Sequence, residues 1–193
     1  MLSNLSKYKI ILASNSPRRK ELLSGLGIDF QIRTIKGIDE SYPDTLHGED
    51  IPIYISKKKA SVYLQSISDD ELLITADTIV YLDGEVMGKP KSAEDAIGML
   101  SRLSGRIHDV ITGVSIVTKE KQVSFASTSK VSFASLTEKE IMYYVDNYSP
   151  LDKAGAYGIQ EWIGYIGVNG LSGSYFNVMG LPVQRLYEEL RKF

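Results

Sequence analysis

The chain has 193 residues, 43% of them hydrophobic and 24% charged, a globular balance that suits one large domain or two closely joined lobes. It contains no cysteine, which excludes disulfides and thiolate metal sites and fits a reducing compartment. With 22 basic and 24 acidic side chains the net charge is -2, against the basic balance of a duplex nucleic-acid binder.

Residues 1–7 lack the apolar core of a secretory signal, and no apolar run approaches the roughly 20 residues of a membrane helix. The expected location is the cytoplasm, with no membrane partner. Residues 8–13 form a short apolar run that reads as a buried strand. It leads into Ser14-Asn15-Ser16-Pro17, with Ser16 placed to N-cap a helix and Pro17 at its first position. That helix runs from Arg18 to about Ser24, turns Leu22 and Leu23 inward and stops at Gly25 and Gly27. Residues 28–35 resemble a second strand.

After a polar loop with His47, Gly48 and Glu49, residues 53–64 read as a helix with a basic face, Lys57-Lys58-Lys59. Residues 71–81 are rich in branched aliphatics and predict a strand, turned by Asp83-Gly84 as in hairpins. Ser92 opens a helix through Leu103, ended by Ser104-Gly105. Residues 107–118 and 122–134 predict two long strands around Lys119-Glu120-Lys121. Thr137 with Glu140 is a capping-box signature for a helix through Val145. Residues 152–168 are glycine-rich and aromatic, and a last helix starts at about Val183. Strands mixed with helices, without repeat or linker, indicate an α/β fold with a mixed sheet.

The first strand-to-helix junction is the strongest chemical signal. A helix N-terminus offers unpaired N–H groups and the positive end of the dipole, so it binds phosphate. Arg18 and Arg19 lie in its first turn, where cations oppose the dipole unless an anion compensates. Arginine grips phosphate bidentately, and Ser14 and Ser16 add hydroxyls. The bland alternative is a solvated basic turn. Nothing matches a P-loop.

Asp77 interrupts an otherwise apolar strand, in Ala76-Asp77-Thr78. A buried carboxylate costs several kcal/mol, of the order of 3 or more, unless a cation or donors meet it. A metal ion, Lys59 or Lys89 of Gly88-Lys89-Pro90 can serve, or backbone donors at a structural bend. His108, one of two histidines, reads as a hydrogen-bonded structural residue, which leaves hard ions such as Mg²⁺ or Mn²⁺ as the metals that fit. In Ala154-Gly155-Ala156-Tyr157-Gly158-Ile159-Gln160, small residues let the backbone approach a ligand and Gln160 offers an amide. A glycine-rich turn without a ligand is the alternative.

Five stretches in order, LASNSPRRKELL from Leu12, ADTIVYLDGEVMGKP from Ala76, LSGRIHDVITGV from Leu103, DKAGAYGIQ from Asp152 and NVMGLP from Asn177, resemble the Maf (septum-formation-inhibitor-like) nucleotide pyrophosphatases. The likeness covers nearly the whole chain and implies one domain over residues 1–193. It implies an elongated twisted mixed sheet with flanking helices, two lobes and a central cleft, similar to inosine-triphosphate pyrophosphatases. It also implies cleavage of the α–β phosphate bond with a divalent metal, Mg²⁺ or Mn²⁺.

Carried onto this sequence, the resemblance has Ser14, Arg18, Arg19, Lys59 and Lys89 hold the triphosphate. Asp77 takes the proton-acceptor role, Arg18, Thr78 and Gln160 select substrate, and Glu40 joins Asp77 in holding the metal. The version reading AGAYGIQ resembles the dTTP/UTP type. A glutamine amide complements the O4 acceptor and N3–H donor shared by uracil and thymine. Glu161 departs from the pattern, which commonly has glycine there; a carboxylate facing the pocket would change base preference.

On this expectation the cationic groups neutralise the leaving pyrophosphate, and Asp77 orients or deprotonates the water attacking the α-phosphorus. A carboxylate is a weak base at neutral pH, so Asp77 as base and Asp77 as metal ligand both stay open. The rivals are a nucleotide- or nucleic-acid-binding regulator of cell division and an NTPase releasing the γ-phosphate. The balanced charge argues against a nucleic-acid partner. The family likeness allows a homodimer.

Overall fold

A computed structural model describes residues 2–193. The first half runs β1 (Lys9–Leu12), α1 (Pro17–Ser24), β2 (Phe30–Ile32), α2 (Asp50–Tyr63), β3 (Glu71–Leu82), β4 (Glu85–Met87) and α3 (Ala93–Leu103). The second runs β5 (Ile107–Val117), β6 (Gln122–Phe133), α4 (Glu138–Tyr148), α5 (Trp162–Gly167), β7 (Val168–Ser172), α6 (Tyr175–Met179) and α7 (Val183–Leu190). The strands form one seven-stranded mixed sheet in the order β2-β1-β3-β5-β6-β7, with β4 on β3. No helix among the described residues is long and apolar enough to cross a membrane.

The chain divides into two compact units: Met1–Asp77, Thr112–Ser127 and Gly180–Phe193 in the first, Thr78–Ile111 and Thr128–Met179 in the second. In the first, β1 runs parallel to both β2 and β3, pairing Ile10 with Phe30 and with Leu72. Parallel strands are covered on both faces, which is why β1 and β3 read as unbroken apolar runs. Ile11, Leu73 and Val117 bury against Ala60 and Tyr63 of α2 and against Ile67.

Helix α2 approaches β5 closely. A Cβ built on Gly113 lies 2.2 Å from the Pro52 carbonyl carbon, so only glycine fits there. The helix starts at Asp50, three residues before the expected 53. Pro52 therefore sits in its first turn, where backbone N–H groups lack helical partners and proline is tolerated. Strand β2 is shorter than the expected 28–35, and its exit is pinned instead by side chains. The Ile35 N–H donates to the Tyr63 hydroxyl at 2.9 Å, and Arg33 forks onto the buried Glu71. That guanidinium holds the Glu71 carboxyl down at about 2.

The second unit holds the hairpin of β3 and β4, which pairs Leu82 with Glu85 across Asp83 (φ 53°) and Gly84 (φ 85°). Two positive φ values are what a two-residue type I′ turn requires, and Asp-Gly supplies them. Ser92 caps α3 by accepting the Asp95 N–H at 3.2 Å, and Thr137 and Glu140 close the capping box on α4. These two helices pack together.

His108 is structural, as expected. Its Nε2 meets the Tyr157 hydroxyl at 2.7 Å, and Phe133 packs edge-on against both rings. Burial lowers the His108 pKa to about 4 and raises that of Tyr157. Residues 152–168 and those just after them contain elements the sequence did not announce: α5, β7 and α6. Strand β7 runs antiparallel to β6, pairing Leu171 with Val131. Asn177 of NVMGLP is fully buried, its amide donating to the Val110 carbonyl and the Ser129 hydroxyl, both at 3.0 Å.

Candidate active site

In the first unit the β1–α1 junction is built as its sequence predicts. Ser16 N-caps α1, its hydroxyl accepting the Arg19 N–H at 3.4 Å, and its own N–H donates to the buried Ser14 hydroxyl at 3.2 Å. Arg18 has no ion pair among the described residues. Arg19 does more than present a charge: its Nε donates to the Gly180 carbonyl at 2.8 Å and an Nη to the Ala76 carbonyl at 3.0 Å. It thereby ties α1 to the residue just before Asp77 and to the NVMGLP segment. Burial lowers the Arg19 pKa from its ordinary value, and the Asp77 charge opposes that fall.

Asp77, nearly buried on β3, meets the cation that the apolar strand demanded. The Lys59 ammonium on α2 lies 2.8 Å from Asp77 Oδ1 and 2.9 Å from Glu40 Oε1. Two carboxylates therefore converge on one ammonium group. The loop carrying Glu40 is fixed by its neighbour: Asp39 accepts from Lys58 at 2.6 Å and from the Ser41 hydroxyl at 2.7 Å. Those bonds, the Lys58 contact first, hold the Asp39 pKa below the usual carboxylate range. Adjacent lysines on α2 thus hold adjacent carboxylates, a pattern the sequence showed only as a basic helix face.

Lys59 joins Asp77 and Glu40, and Ser14, Arg18 and Arg19 lie in the same first unit, whereas Thr78, Lys89 and Gln160 belong to the second. Thr78 follows Asp77 on β3 and is half-buried, and Lys89 is exposed between Gly88 and Pro90. Gln160 lines an open pocket of about 260 Å³ with Ile159, Tyr165, Leu171 and Tyr175. Its Oε1 is buried and has no hydrogen-bond partner among the described residues.

The family model for Maf-like proteins matches residues 9–193. The chain belongs to that family. Among similar proteins, one of Phocaeicola vulgatus named dTTP/UTP pyrophosphatase is 64% identical over all of both chains. Relatives of the same name from Bacteroides thetaiotaomicron and Porphyromonas gingivalis are 62% and 52% identical, covering all of this chain and 100% and 98% of theirs. The solved Ham1 protein of Staphylococcus aureus matches with a TM-score of 0.51 over 94% of this chain and 99% of that one. At 20% identity that likeness is one of fold.

In this Maf-like chain the sequence left one functional question at Glu161. Its carboxylate accepts from the Tyr144 hydroxyl and lies 3.1 Å from the Lys153 ammonium. Sequence reasoning singled out neither partner. Lys153 was visible only as the second letter of DKAGAYGIQ, and Tyr144 only as an apolar position on α4 beside Ile141 and Val145.

Proposed function

We propose that this chain hydrolyses dTTP and UTP to the nucleoside monophosphate and pyrophosphate. Lys59 carries the reading: one ammonium gathers Asp77 and Glu40, and Arg19 of α1 reaches the carbonyl of Ala76, the residue before Asp77. Such a cluster of fixed positive charge around a carboxylate suits polyphosphate cleavage, in which little covalent chemistry falls to the protein. The names of relatives up to 64% identical agree with that substrate class.

In the proposed reaction Ser14, Arg18, Arg19, Lys59 and Lys89 neutralise the polyphosphate. Asp77 orients a water molecule and accepts its proton as the water oxygen bonds to the α-phosphorus. The bond from that phosphorus to the α–β bridging oxygen breaks, and pyrophosphate leaves with the electron pair. Arg18, Thr78 and Gln160 select the substrate. The family likeness implies a divalent cation, and the residues fit one: Glu40 and Asp77 are hard oxygen donors already meeting at a single positive charge. When bound, such a cation supplies charge neutralisation on phosphate and acidifies water. Among the described residues no group of three acidic or histidine ligands exists, so these two carboxylates are the side chains that would hold such a cation.

The test is product analysis over a panel of nucleoside triphosphates with Mg²⁺ or Mn²⁺. Monophosphate plus pyrophosphate is expected; diphosphate plus orthophosphate overturns the proposal. Asp77→Asn is expected to lower kcat by about 10³-fold or more while leaving nucleotide binding nearly unchanged, as removal of a group acting in the transition state does.

A further inference from the structure

A four-residue turn carries Gln160. The Glu161 N–H donates to the Gly158 carbonyl at 3.0 Å, which places Gln160 in the middle of the turn. Both ends of that turn are tied to one side chain on another element. The Gly158 N–H donates to the Tyr144 hydroxyl at 3.1 Å, and the same hydroxyl donates its proton to Glu161 Oε2. Tyr144 is fully buried, so it offers a rigid anchor. The other carboxylate oxygen of Glu161 faces the Lys153 ammonium, itself only 9% exposed and also held by Asp152 at 2.7 Å. A buried lysine with two carboxylates is satisfied, whereas removing one partner leaves charge poorly compensated.

The amide of Gln160 lies against this arrangement. A Cβ built on Gly158 would meet Glu161 Cδ at 3.0 Å, Glu161 Oε2 at 3.1 Å and Gln160 Nε2 at 3.2 Å. The amide nitrogen and the carboxylate thus flank the same point, with the buried Oε1 left without a partner. A carboxylate favours the NH₂ side of an amide over its oxygen, so the Glu161 charge biases the amide toward one sense.

That sense matters chemically. Uracil and thymine present an acceptor at C4 and a donor at N3, and cytosine presents the reverse. An amide free to rotate by about 180° serves either pair, because its donor and acceptor simply exchange places. An amide held one way does not.

We propose that Glu161, fixed between Tyr144 and Lys153, is a positioning residue that sets the Gln160 amide and so sharpens the choice of uracil and thymine over cytosine. The proposal rests on the reading of Gln160 as the residue that meets the base. It gives Glu161 a role where the family pattern commonly has glycine.

The experiment compares kcat/KM for UTP, dTTP and CTP in the wild type, Glu161→Gln, Tyr144→Phe, Gln160→Ala and the Gln160→Ala, Glu161→Gln double variant, with folding followed by circular dichroism. Glu161→Gln is expected to lower the UTP-to-CTP ratio by about tenfold, mostly through KM, and Tyr144→Phe to lower it in the same direction. The double variant should match Gln160→Ala, because Glu161 acts through that amide. A ratio unchanged in Glu161→Gln, or a further drop on the Gln160→Ala background, overturns the proposal. Should Glu161→Gln fail to fold, Tyr144→Phe decides by the same ratio. A ratio unchanged in Gln160→Ala removes the base-reading role and the clamp together while leaving hydrolysis standing. Absence of hydrolysis in the wild type overturns the function and the clamp with it.

Discussion

Single residues show what a local sequence reveals. Ser16, Pro17, Arg18 and Arg19 are adjacent, so their cap and their charges are readable from the letters alone, and Asp77 advertises itself by breaking an apolar strand. The cation that answers Asp77 is 18 positions away on α2, and the sequence offered Lys59 only as one candidate among three kinds of partner. Glu161 was harder still. Nothing near it in the chain says that Tyr144, 17 residues earlier, takes its carboxylate. His108 gives a prediction at this scale. Its pKa is lowered from 6.5 to about 4 by burial, so the folded protein keeps it neutral where the unfolded chain would protonate it. The unfolded state therefore binds more protons between those two values, and stability falls as pH drops from 6.5 to 4. The loss amounts to about 3 kcal/mol. Denaturant midpoints measured across that window should fall less steeply in His108→Gln, whose amide keeps a donor for Tyr157; equal slopes contradict the assignment.

At the scale of elements, the long strands and capped helices were legible because each carries its own signal: β-branched runs in β3, Ser92 before α3, the Thr137–Glu140 box before α4. Helix α2 begins three residues before the expected 53 because Pro52 falls in its first turn, where proline is tolerated. Elements α5, β7 and α6 escaped because each has six residues or fewer, too few for a period to emerge from a glycine-rich stretch. The contact of α2 with β5 yields a second prediction. In Gly113→Ala the added methyl would fall 2.2 Å from backbone, not from a side-chain end that could swing away, so the helix itself must shift. Overpacking of this kind costs about 1–3 kcal/mol, and with backbone as the obstacle the upper part of that range is expected. Because α2 also carries Lys59, the variant should lose turnover more than it loses melting temperature. A drop in melting temperature with kcat/KM untouched would mean that α2 re-seats without disturbing the carboxylates.

For the whole molecule, the α/β class and mixed sheet followed from strands interleaved with helices, and the solved Ham1 structure shares that fold. Two lobes were implied by the family resemblance, but where the chain divides was not legible, because no linker marks it. Three of the four crossings fall inside strands, between Asp77 and Thr78 on β3, between Ile111 and Thr112 on β5 and between Ser127 and Thr128 on β6, and the fourth lies at the end of α6, between Met179 and Gly180. No composition shift accompanies a break of that kind. One consequence comes from the first unit, where the Asn4 side chain donates to the Leu190 carbonyl at 2.8 Å. Head and tail are stitched side by side, so the order in which the ribosome delivers the segments is separable from the finished topology. A circular permutant that joins Phe193 to Leu2 through a short glycine–serine bridge and opens at the exposed Asp44–Thr45 turn should fold to the same circular-dichroism spectrum and retain hydrolysis.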